Sequence, residues 1–275
     1  MYKNNTRKNK IIHRGKHYAK NTNKRLLTTF VAAIIVIVGA MFPQFRTEIN
    51  DILDNSNQTQ QEQNVNSSAS SNSSRSTDSS DYVTSTSDKA YEEVNNNEPE
   101  FTSKELKKAK TSYKTFSDLD SLGRCGVAEA SVGTDLLPTE KRGSIGMVKP
   151  TGWHTVRYDD LISDKYLYNR CHLIAHCLCG ENANEKNLIT GTRYMNVDGM
   201  LPFEEKILDY VKETGNHVLY RVRPAFEEDN LVASGVYMMA ESVEDNGKGL
   251  SFNVYCPNIQ PGIAIDYATG DSKRA

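Results

Sequence analysis

The sequence predicts an α+β domain built around an antiparallel sheet, carried behind one membrane-crossing segment and a polar linker. Three observations carry that expectation. The 275 residues are uneven in composition, with an apolar run near the N-terminus, a polar tract after it, and core-forming capacity concentrated beyond residue 101. In the last third, His217 to Val222, Leu231 to Met239 and Leu250 to Tyr255 alternate like antiparallel strands, with Asp245-Asn246-Gly247 as a turn between the last two. Between these zones lies Leu167 to Gly180 (LYNRCHLIAHCLCG), which sets an arginine and a histidine into an otherwise apolar run.

Residues 1–25 hold nine Lys or Arg and no Asp or Glu, and residues 26–43 hold no charge. The run Leu26 to Phe42 is near the lower end of the roughly 17 to 25 residues that span a bilayer, and longer than the usual apolar core of a signal peptide. It predicts a transmembrane signal anchor over 26–43. The basic tail stays cytoplasmic by the positive-inside rule, and everything from Pro43 lies outside the cell. The alternative is a cleaved signal peptide, releasing a secreted form; Val38-Gly39-Ala40 offers small residues for it without a clean small-x-small site. Residues 44–100 are rich in Ser, Asn and Gln, with too little apolar surface to offset their ordering entropy. They read as a disordered linker, with at most a turn of helix at Ile49 to Leu53.

Residues 101–275 have the length of one domain and carry 21 Lys or Arg against 24 Asp or Glu. A formal charge of −3 excludes attraction of a polyanion by overall charge, so any such partner is held by a local patch. The candidates are Lys104, Lys107, Lys108, Lys110 and Lys114, then Lys141 with Arg142, and then Arg157, Arg170 and Arg193. The lysine run by itself reads as a solvated helix face. Leu122 to Leu137 reads as a strand running into a turn at Gly133-Thr134-Asp135. The loop from Pro138 to Gly143 then puts Lys141 and Arg142 where a ligand reaches them. Trp153, the only tryptophan, reads as a core residue.

Tyr166, Tyr168, Leu173 and Ile174 have the β-propensity of a short strand, on which Arg170 and His172, two apart, share a face. A cation beside a titratable base is the pairing that holds a phosphate and deprotonates a water next to it. After the polar loop Glu181 to Lys186, Pro202 sits at a first helical position, Glu204 and Glu205 fall in the first turn, and Ile207, Leu208 and Val211 form the buried stripe up to Gly215.

With Asn169-Arg170-Cys171-His172, Asn187-Leu-Ile-Thr, Asn196 and Glu204 in this order, the chain resembles the DNA/RNA non-specific endonucleases of the ββα-metal type, especially the cell-surface, DNA-entry-type and secreted nucleases of Gram-positive bacteria. Their hallmark is Asp-Arg-Gly-His on a strand, followed two to three dozen residues later by a metal-binding Asn. The resemblance runs from about Leu122 to the C-terminus. It implies a ββα-metal fold in which His172 is the general base and Asn196 the direct protein ligand of a hydrated Mg²⁺, with Mn²⁺ as a substitute. Glu204 would orient the metal's waters, Arg170 would contact the phosphate, Lys141 or Arg142 would match an upstream phosphate-binding arginine, and Asn187 would help hold the substrate site. An amide oxygen and waters suit a hard cation, and an ordinary imidazole near pKa 6.5 can serve as base at neutral pH. The implied reaction is cleavage of P–O3′ bonds in DNA, and in RNA as well, leaving 5′-phosphate ends. Phosphate contacts imply slight sequence preference and salt-sensitive binding.

Two residues depart from the hallmark. Asn169 replaces its Asp and keeps hydrogen-bonding capacity without charge. Cys171 replaces its Gly: pointing away from the metal it is a small buried residue, whereas a backbone needing glycine's freedom would distort the site. Cys171, His172, His176, Cys177 and Cys179 have a spacing unlike paired zinc-finger ligands, and one strand cannot converge them. Outside the cytoplasm the five cysteines, with Cys125 and Cys256, could form one or two disulfides. Two other functions remain open: a catalytically impaired DNA-binding surface protein taking part in DNA uptake, and a surface adhesin or stalk.

Overall fold

The computed structural model describes Tyr82 and residues 89–275; the expected tail, signal anchor, Ile49 to Leu53 turn and most of the linker lie outside the described residues. In chain order the elements are β1 (Glu92–Glu93), α1 (Ser103–Lys108), β2 (Tyr113–Phe116), β3 (Ala128–Val132), β4 (Tyr168–His172), α2 (His176–Cys179), β5 (Leu188–Thr192), a π-helical turn (Met195–Met200), α3 (Leu201–Thr214), β6 (Val218–Ala225), β7 (Gly235–Ser242), β8 (Ser251–Pro257), β9 (Ile263–Ile265) and β10 (Ser272–Arg274). Among the described residues no helix is long and apolar enough to cross a membrane.

Six strands make one antiparallel sheet in the order β1-β8-β7-β6-β3-β2. Alternation decides its faces. Ala128, Ala130, Val132, Val218, Tyr220, Val222, Met238, Ala240, Phe252 and Val254 enter one continuous core, joined by Phe203, Ile207, Leu208 and Val211 of α3. Each large side chain so buried contributes roughly 1.5–3 kcal/mol, which fixes α3 against the sheet. The opposite face is partly covered by α1, whose capping box between Thr102 and Glu105 sets its start and whose Lys107 and Lys108 stay solvated, as the sequence suggests.

The folded region starts earlier than residue 101. Glu92 and Glu93 pair with Tyr255 and Val254 at the sheet edge, and Tyr91 meets Phe203 edge-on with ring centroids 4.9 Å apart. Residues 89–100 therefore belong to the domain, not to the linker.

A separate ribbon carries the chemistry. β4 and β5 pair antiparallel from Tyr168 opposite Thr192 to His172 opposite Leu188, and every residue of both strands is buried. The predicted strand through Arg170 and His172 is present, but it ends at His172. The chain then turns into the short α2, closed by Gly180 in the left-handed region at φ +67°. All five cysteines are free, which removes the disulfide reading, and no group of three or more His, Cys, Asp or Glu side chains among the described residues could hold a metal ion.

Candidate active site

Side chains alternate along β4, and the alternation divides the site into two layers. Arg170 and His172 project on one face, Asn169 and Cys171 on the other.

On the first face, His172 lies almost entirely beneath two loops. Its Nε2–H donates to the Asn182 carbonyl at 2.8 Å, which leaves Nδ1 as the lone-pair nitrogen, and Arg142 Nη2 sits 3.4 Å from Nδ1. The loops are close enough that a Cβ on Gly143 would meet Asn182 Nδ2 at 2.7 Å. Burial, and next the Arg142 guanidinium, push the His172 imidazole down to about 3. The expectation of an ordinary imidazole near 6.5 is thereby corrected: desolvation and a neighbouring cation both disfavour the charged ring.

The cation beside the base is Arg142 rather than Arg170. Arg170 donates from Nε to Val148 O at 2.5 Å and from Nη2 to Gly146 O at 3.0 Å, and its guanidinium lies 4.0 Å from the Trp153 ring centre. It anchors the loop that follows Arg142, and half-buried Trp153, packed against a small core cluster, also serves as its platform. Lys141, next to Arg142 in the chain, is exposed. Asn187 is wholly buried and spends both ends of its amide on Ile174, accepting from its N–H at 2.9 Å and donating to its carbonyl at 3.0 Å. A side chain so committed cannot touch substrate; it clamps the turn between β4 and α2.

On the second face, Asn196 is carried on the π-helical turn, where Leu201 N–H bonds back to Asn196 O. Such an extra residue in a helical turn re-aims side chains and recurs at functional sites. Asn196 Oδ1 accepts the Cys171 thiol at 3.0 Å. β4 keeps ordinary extended backbone through Cys171, so the strand does not need glycine there, yet the thiol does not point away from the candidate ligand either. Room for it comes from across the ribbon: a Cβ on Gly191 would meet Cys171 Cβ at 2.7 Å and Met195 Cε at 2.8 Å.

Glu204 stands in the first turn of α3, buried, with Oε1 accepting from Ala175 N at 3.0 Å. Its carboxyl is pushed up to about 8, mainly by burial. The π-helical turn runs directly into α3, and Glu204 falls in the first turn of that helix as the sequence predicts. Asn169 Oδ1 is likewise buried and has no hydrogen-bond partner. Asn196 and Asn169 offer amide oxygens and Glu204 a carboxyl, hard-oxygen donor types of low charge that suit a divalent cation keeping much of its water.

Three of the other basic candidates are committed to carboxylates. Lys114 pairs with Glu181 at 2.7 Å, Arg157 with Asp159 at 2.9 Å and Arg193 with Asp164 at 2.6 Å. Two participants were invisible in the sequence. Asn182 acts through its backbone carbonyl, which no residue type advertises, and Gly191, paired with Asn169 across the ribbon, acts by leaving space beside Cys171.

Comparison with known proteins identifies the family. The family model for DNA/RNA non-specific endonuclease matches residues 102–244, more than half of the chain. Among solved structures, NucA from Streptococcus agalactiae with no metal bound is 26% identical, with a TM-score of 0.57 over 66% of this chain and 86% of that one. The same nuclease with magnesium ion bound gives 25% identity and a TM-score of 0.58, again over 66% and 86%. Sda1 nuclease with bound zinc ion shares the fold, at 24% identity and a TM-score of 0.55 over 68% of this chain and 97% of that one. This chain belongs to the DNA/RNA non-specific endonuclease family.

Proposed function

We propose that the chain is a membrane-anchored, extracellular endonuclease that hydrolyses DNA and RNA with one Mg²⁺, leaving 5′-phosphate ends. The observation that carries the chemistry is the environment of His172. With Nε2–H tied to the Asn182 carbonyl, the ring is held in the tautomer whose Nδ1 can take a proton from water, and that nitrogen faces Arg142.

A substrate phosphate docked on Arg142 brings the scissile phosphorus close to Nδ1. Burial is the larger cause that holds the imidazole down and Arg142 the next; the phosphate offsets the second, so the base strengthens as substrate binds. Arg170 serves binding through the loop it anchors, and Lys141 meets the strand beside Arg142. Asn196 and Glu204 would hold the cation, with Asn169 beside them. When bound there, Mg²⁺ supplies Lewis-acid stabilisation of the phosphoryl oxygens and of the departing 3′ oxygen. The anchor over 26–43 and an extracellular location rest on the apolar run and its basic flank.

Supercoiled plasmid and RNA incubated with the full chain, with Mg²⁺ or with EDTA, and labelling of the product ends, test this reading. Metal-dependent nicking with 5′-phosphate termini is expected. A metal-independent rate or 5′-hydroxyl ends would overturn it. The Cys171 contact on Asn196 favours one rival, a DNA-binding surface protein with an impaired site, which would shift plasmid on a gel without cutting it.

A further inference from the structure

Cys171 occupies a position where the chemistry around Asn196 is decided. The thiol is 1% exposed and, with its Sγ 3.0 Å from Asn196 Oδ1, meets its next acceptor, Met200 Sδ, only at 3.4 Å. A cysteine thiol holds its proton at neutral pH, and the 3.0 Å contact places that S–H as a donor to the amide oxygen. An asparagine side chain turned end for end would trade the S–H···O bond for an N–H to the thiol sulfur, which is only a weak acceptor. The thiol therefore selects the orientation in which the oxygen faces the ribbon.

An amide oxygen has two lone pairs, and one hydrogen bond leaves the other free. We propose that Cys171 is a positioning residue for the metal site: its S–H fixes Asn196 with Oδ1 presented and one lone pair open to a divalent cation. The proposal rests on Asn196 being the ligand. The ribbon is built to admit this sulfur, because Gly191 leaves open the space against which Cys171 Cβ and Sγ lie. Where the family hallmark has glycine on β4, this chain has a donor there and a glycine on β5.

The test is Mn²⁺ binding by the full chain without nucleic acid, followed by the electron paramagnetic resonance signal of free Mn²⁺. The variants are Cys171→Ala, Cys171→Gly, Cys171→Ser and Asn196→Ala, with thermal unfolding in EDTA to establish that each is folded. Removing the donor as Ala or as Gly is expected to weaken Mn²⁺ binding roughly tenfold, the scale of losing a partner that orients a metal ligand. Serine, which restores a donor, is expected to recover most of that loss, and Asn196→Ala to abolish binding. A merely structural cysteine would not give rescue by serine together with failure of both alanine and glycine. If Asn196→Ala abolishes binding while the Ala and Gly variants bind like the parent, the positioning role is wrong and the nuclease reading stands. If Asn196→Ala binds like the parent, the ligand assignment fails, and this inference fails with it.

Discussion

His172 and Glu204 are two buried groups pushed in opposite directions by the same cause. Burial disfavours charge on each, so the imidazole is held down and the carboxyl is held up. Their effects on stability separate by pH. The His172 shift makes metal-free stability fall as pH drops from 6.5 toward 3, because the unfolded chain takes up a proton the folded one refuses. Glu204 works the other way: its folded pKa is above its unfolded value of about 4.5, so its contribution is full below that value and is lost as pH rises toward 8. Between pH 6.5 and 8 only the second effect of the two remains. The unfolding midpoint in EDTA is expected to fall across that window in the parent, and more shallowly in Glu204→Gln. Identical slopes would mean that Glu204 is already ionised in the folded, metal-free protein. Arg142 can be tested by salt: Arg142→Ala is expected to reduce the slope of log affinity for DNA against log salt by about one, as for the loss of one phosphate contact. An unchanged slope would remove it from the substrate path.

At the scale of elements, the site depends on a turn that is easily overlooked. Asn187 clamps Ile174, and the next residue, Ala175, donates its N–H to Glu204, so one buried amide fixes the spacing between the ribbon and α3. Asn187→Ala is expected to cost about 1–3 kcal/mol in unfolding free energy, from stranded polar groups at Ile174. It should also slow cleavage roughly tenfold through misplacement of Glu204; a variant equally destabilised but fully active would confine Asn187 to stability. What was legible in the sequence follows physical lines. β6, β7 and β8 have one face in the core and show it by alternation, and α3 shows its stripe and its closing Gly215. β5 (LITGT) is buried at every position, so it has no alternation to read, and α2 is too short for a helical period. β1 is two exposed glutamates whose strand state comes wholly from the edge of β8. Type and order singled out Arg170, His172, Asn196 and Glu204 as candidates, and the structure puts Asn196 against β4 and Glu204 against the turn after it. Which arginine touches the imidazole was not legible, because that depends on a long loop folding over β4.

Across the whole domain, a formal charge of −3 over residues 101–275 leaves little long-range attraction for a nucleic acid. Lys114, Arg157 and Arg193 are paired with carboxylates, and Arg142 is a half-buried cation against the base with no carboxylate partner among the described ion pairs. Substrate capture on this account relies on a small focus of charge within a closed site, with residues 89–100 strapped to the sheet edge and to α3 through Tyr91. The most direct test of the central claim is single-turnover cleavage of plasmid by the full chain and by His172→Ala at saturating Mg²⁺, with DNA affinity measured on the same samples. The account predicts that His172→Ala binds DNA like the parent while its cleavage rate falls by about 10²–10⁴, the range supplied by a positioned base. Equal cleavage rates in the two proteins would contradict it.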